Sequence, residues 1–127
     1  LPFGTLLKGE SRTAVIARAA VITSADGFSS LWSELNPGQP QPTIDFDEQT
    51  VILAAVGERI EAGDSVEVRR VLPVARGTVI ELVERIPGNF CSPAERRHYP
   101  YHLVVTPRLE APVRFTSPID IERVPCG

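Results

Sequence analysis

Six consecutive apolar residues, Val51-Ile52-Leu53-Ala54-Ala55-Val56, constrain this chain more than any other feature. A strand with one face in water alternates apolar and polar residues, because successive side chains point to opposite sides. A run with no alternation needs cover on both faces. The run has a strand's length, and Gly57 ends it. With 127 residues, the chain suits a single domain able to bury such a strand. Its 43% apolar and 23% charged residues argue for an ordinary folded protein. No apolar stretch nears the ~20 residues that span a bilayer. A net charge of −3 leaves no basic footprint for nucleic acid.

One helix is expected, from Ser24 to Leu35. Ser24 suits the N-cap, and Asp26 suits the positive end of the helix dipole. Phe28, Leu31, Trp32 and Leu35 fall at i, i+3, i+4 and i+7, one face of a helix. Asn36-Pro37-Gly38 stops it. Trp32 is therefore read as core, laid with its neighbours on a sheet that contains Val51 to Val56.

The rest is read as strand and turn. Leu1 to Arg12 is taken as a lead-in segment, and Thr13 to Ile22 as a strand on the strength of its β-branched residues. Ser65 to Leu72 and Thr78 to Ile86 alternate on either side of a turn at Pro73 to Gly77, the pattern of a β-hairpin. A phase break at Arg70-Val71 marks a bulge. Phe90 to Tyr99 reads as a polar loop, Tyr101 to Thr106 as a strand, and Val113 to Phe115 and Ile119 to Val124 as short final strands. The expected class is α+β, mainly antiparallel β: one sheet or open barrel of about six strands with a single helix packed on it.

Residues with chemical capability crowd into Cys91 to His102, which holds both histidines. A metal site at His98, His102 and Cys91 is disfavoured, because positions four apart in a strand lie roughly 13 Å apart. The alternative is a solvated His98 and a partly packed His102. A Cys91–His nucleophilic pair needs a free thiolate. Asp45 and Asp47 share a strand face and could act as acid and base, but such aspartates usually bind turn amides. No glycine-rich phosphate loop occurs. No catalytic residue, metal ligand or cofactor is assigned. Surface recognition remains: Arg96, Arg97, Tyr99 and Tyr101 combine the residue types favoured at interface hot spots, and Arg96, Arg97, His98 and Tyr99 are expected to form part of a partner-binding surface.

The two cysteines, Cys91 and Cys126, are expected to be bonded to each other. The bridge would hold a chain end that otherwise frays, and would place the protein in an oxidising compartment.

The order of these features resembles the PrcB C-terminal domain family. The matching features are the Phe-x-x-Leu-Trp helix, the Pro-rich link, Ile44-Asp45-Phe46-Asp47, and the apolar strand ending in Gly57-Glu58-Arg59. Gly63 with Ser65-Val66-Glu67-Val68, then Pro87-Gly88 and Pro100-Tyr101-His102-Leu103-Val104, complete the likeness, which covers Thr13 to Cys126. One departure is Glu61-Ala62-Gly63-Asp64, where the family pattern reads Thr-Gly-Gly-Tyr. The resemblance implies a non-enzymatic, exported binding domain that assists or stabilises a subtilisin-like protease. A protease inhibitor is the alternative, and a small hydrolase the third class.

Overall fold

The computed structural model describes residues 1–11, 13–88 and 91–125. Strand β3 (Gln49–Ala55) lies between two cores, which explains its unbroken apolar sequence. Val51, Leu53 and Ala55 point to a helix; Ile52 and Ala54, with Val56 just beyond, point to a second sheet. The layers are therefore helix, sheet and sheet.

In the first sheet, β1 (Gly4–Ser11), β7 (Glu95–Pro107), β3 and β2 (Arg18–Ile22) lie in that order, all antiparallel. A short strand, β4 (Arg59–Glu61), takes over from β3 alongside the first residues of β7. The second sheet is built on the hairpin of β5 (Ser65–Val74) and β6 (Gly77–Pro87). Strands β8 (Val113–Phe115) and β9 (Asp120–Val124) both run parallel to β6. Val66, Val68, Val71, Ile80 and Leu82 of the hairpin close over Ile52, Ala54 and Val104.

Helix α1 (Ala25–Leu35) begins where Ser24 Oγ accepts from the Gly27 N–H at 3.1 Å, and ends where the Asn36 N–H donates to the Trp32 carbonyl at 2.8 Å. Phe28, Leu31, Trp32 and Leu35 are its buried residues and pack on Val51, Leu53 and Leu103. The Trp32 indole N–H donates to the Gln39 carbonyl at 3.1 Å, so the large ring is buried without an orphaned donor. The Phe28 ring centroid lies 5.9 Å from that of Trp32 and 6.0 Å from that of Phe46.

The bulge in β5 falls between Val68 and Arg70. There Arg69 and Arg70 both reach Glu81, at 3.6 and 2.7 Å, as two residues opposing one must. The hairpin turn requires Gly77: its φ is +117°, and a Cβ there would sit 2.1 Å from the Pro112 carbonyl oxygen.

The α+β, mainly antiparallel class holds, with a single helix among the described residues. The strands, nine among the described residues, divide into two sheets rather than the one sheet or open barrel of about six expected. Leu1 to Arg12, expected as a lead-in, contains β1. That strand is mostly exposed, so side-chain alternation says little about the backbone bonds that hold it to β7. The expected loop before Tyr99 is strand from Glu95 onward, held by β4; its run of charges disguised an extended backbone. The strand expected from Thr13 is shorter, beginning at Arg18.

Candidate functional site

The expected binding residues sit at the start of β7, where its partner strand changes from β3 to β4. The four residues divide between two carboxylates. Arg97 Nε lies 2.6 Å from Glu58, whose carboxylate also accepts from the Tyr99 hydroxyl at 3.4 Å. Arg96 and His98 instead meet Glu10 of β1, with His98 Nε2 at 3.5 Å. Tyr99 packs on the helix-side core together with Tyr101. Arg97 is the most open of the four, its side chain 74% exposed. On the neighbouring strand Arg59 turns inward to Glu84, so Ile60 turns outward and is 57% exposed.

His98 is not solvated, contrary to expectation; it is 1% exposed. Its Nδ1 lies 2.7 Å from the Arg96 carbonyl oxygen, and its Nε2 3.3 Å from that of Asp64. Both ring nitrogens face acceptors.

His102 is wired the opposite way. Its Nδ1 accepts the Val68 backbone N–H at 2.9 Å, so Nε2 carries the proton and donates to Thr5 Oγ1 at 2.9 Å. Burial and, secondarily, the nearby Lys8 charge push its pKa down to about 4, which keeps the ring neutral. The two histidines tie β7 to the β5 side of the second sheet at Asp64 and Val68. Neither is disposed to hold a metal with Cys91, and among the described residues no three His, Cys, Asp or Glu side chains group to hold one.

A buried ionic cluster lies beneath His98. Arg59 makes a two-pronged bond to Glu84, Nε to Oε2 at 2.6 Å and Nη2 to Oε1 at 3.0 Å. The Asp64 carboxyl adjoins Glu84: Asp64 shares the inward face with Val66, which pairs with Glu84, and both acids are less than a tenth exposed. Burial and the neighbouring Glu84 raise the Asp64 pKa to about 7, with Arg59 and His98 opposing. Burial pulls Glu84 up as well, but its bonds to Arg59 and Asp64 outweigh this and hold it below the usual range. Sequence inspection missed this cluster, although one signal was present: Ile80, Leu82 and Glu84 alternate, so Glu84 shares the inward face.

Asp45 serves a turn. Its Oδ1 accepts the Asp47 N–H at 3.1 Å, and its carbonyl accepts the Gln49 N–H at 2.8 Å. Cys91 Sγ lies 3.9 Å from the Val124 carbonyl oxygen. The expected bond from Cys91 to Cys126 involves a residue outside those described. Among the described residues no helix is long and apolar enough to cross a membrane. No family model, no curated protein and no solved structure matches the chain.

Proposed function

We propose that this chain is a non-enzymatic protein-binding domain that acts outside the cytoplasm and stabilises a secreted, subtilisin-like protease. The observation that carries the binding role is the outer face where β4 and β7 meet. Ile60 and Arg97 stand open there beside Tyr99, with Glu58 holding the arginine and the tyrosine in place. An Arg and a Tyr fixed before association lose little entropy on binding, and both residue types dominate interface energetics. The protease as partner rests on the family resemblance, and export on that resemblance and on the expected Cys91–Cys126 bond.

The test is to incubate the full chain with a purified secreted subtilisin-type protease from the same cells, and to follow peptide turnover and active half-life together. A stabiliser lengthens the half-life and leaves turnover unchanged. Reduced turnover would establish the inhibitor instead. No effect on either would remove the protease from the proposal.

A further inference from the structure

We propose that Asp64 and Glu84 share a single proton in the buried corner where β4 turns into β5, and that its loss loosens this end of the molecule. Glu84 belongs to β6 of the second sheet; Arg59 belongs to β4 of the first. Their two-pronged bond fastens the sheets together, and one positive charge balances one negative. Asp64 then brings a second carboxyl into the same buried space.

Like charges in contact cannot both ionise cheaply in a site shielded from water. A proton on Asp64 removes the conflict and supplies the hydrogen bond that joins it to Glu84. Asp64 Oδ1 is buried with no hydrogen-bond partner among the described residues, so none of their donors stabilises an ionised Asp64 there.

The groups around Asp64 come from every neighbouring element. Lys8 and Glu10 from β1 and Arg96 from β7 line the same small cavity. Arg59 from β4, Glu84 from β6 and His98 from β7 act on it directly. Arg96 is engaged by Glu10, and Lys8 by Glu67 at 2.6 Å. Arg59 is committed to Glu84. His98 bonds the Asp64 carbonyl oxygen rather than its carboxyl.

Asp64 is the hinge of the device. It follows Ala62-Gly63, the turn from β4 into β5, and its N–H donates to the Glu61 carbonyl at 3.3 Å. The expected folded pKa of about 7 lies above the ordinary 3.8. A raised carboxyl contributes stability that is fully present below about pH 4 and is lost as pH rises through 7.

The test is a 13C titration of the side-chain carboxyls in the full chain between pH 3 and 9, with amide hydrogen exchange across the same range. The Asp64 carboxyl should titrate with an apparent midpoint near 7. After correction for base catalysis, the Arg59, Glu61 and Asp64 amides should exchange at least about tenfold faster at pH 8.5 than at pH 5.5. In Asp64→Asn, which stays neutral and can donate to Glu84, most of that acceleration should vanish. A midpoint near 4 would overturn the proposal. So would a midpoint near 7 with pH-independent exchange, or an acceleration that survives in Asp64→Asn. The wild-type titration decides the matter even if the variant fails to fold.

Discussion

The Nδ1 of His102 accepts the backbone N–H of Val68 across the space between the two sheets, at 2.9 Å. An imidazolium cannot accept this bond, so the native fold selects the neutral ring. The folded pKa of about 4 lies below the ordinary value near 6.5. A depressed histidine contributes stability that is full above the unfolded pKa and is lost as pH falls through the folded one. Between pH 6.5 and 4 this trend opposes that of Asp64. The wild type should therefore change little in urea midpoint across that window. Asp64→Asn should instead lose stability on acidification, on the order of 2 kcal/mol. A variant profile as flat as the wild type would contradict this assignment of His102.

Arg59 should be the costliest surface-reaching residue to remove. Arg59→Ala leaves Glu84, and through it Asp64, without the cation that balances the cluster. The expected loss is about 3–5 kcal/mol, because an uncompensated buried charge remains. Arg59→Lys should recover only part of it, since an ammonium cannot make the two-pronged bond. Urea denaturation at pH 7 measures both; a loss below about 1 kcal/mol for Arg59→Ala would show that the cluster is solvated.

Trp32→Ala should cost about 3–5 kcal/mol, through the cavity it leaves under α1. Trp32 is 7% exposed and fills the space between Phe28 and the β3 face. A cost under about 1 kcal/mol would mean that the helix does not rest on its weight.

Gly77→Ala should also destabilise, by about 2 kcal/mol or more, because the turn holds φ at +117° and the new methyl meets the Pro112 carbonyl. Thermal denaturation checks it. An unchanged midpoint would mean that the β6–β8 junction yields easily.

What the sequence revealed followed how strongly burial imprints a period on it. The 3.6-residue spacing of Phe28, Leu31, Trp32 and Leu35 identified α1, and the unbroken run at Val51 to Val56 announced a strand with two covered faces. Strand β1 left no such imprint, because Thr5, Lys8, Gly9 and Glu10 are exposed and its place is held by backbone bonds to β7. Glu95, Arg96 and Arg97 looked like loop for the same reason. The candidate site was half legible. Arg97 and Tyr99 do meet, but around Glu58, a residue 41 positions from Tyr99 whose arrival depends on how β3 hands over to β4. Asp64 was seen only as a departure from a family pattern. Its partnership with Glu84 required knowing that the two sheets close over that corner.

The central claim is that the outer face at Ile60, Arg97 and Tyr99 binds a protein partner. Isothermal titration of the full chain against a purified secreted subtilisin-type protease from the same cells tests it most directly. The account predicts that Arg97→Ala with Tyr99→Ala weakens binding by roughly 100-fold or more, whereas Arg96→Ala, engaged with Glu10 rather than Glu58, changes it less than about fivefold. A double variant that binds as tightly as the wild type, or an Arg96→Ala loss equal to that of the double variant, would contradict it.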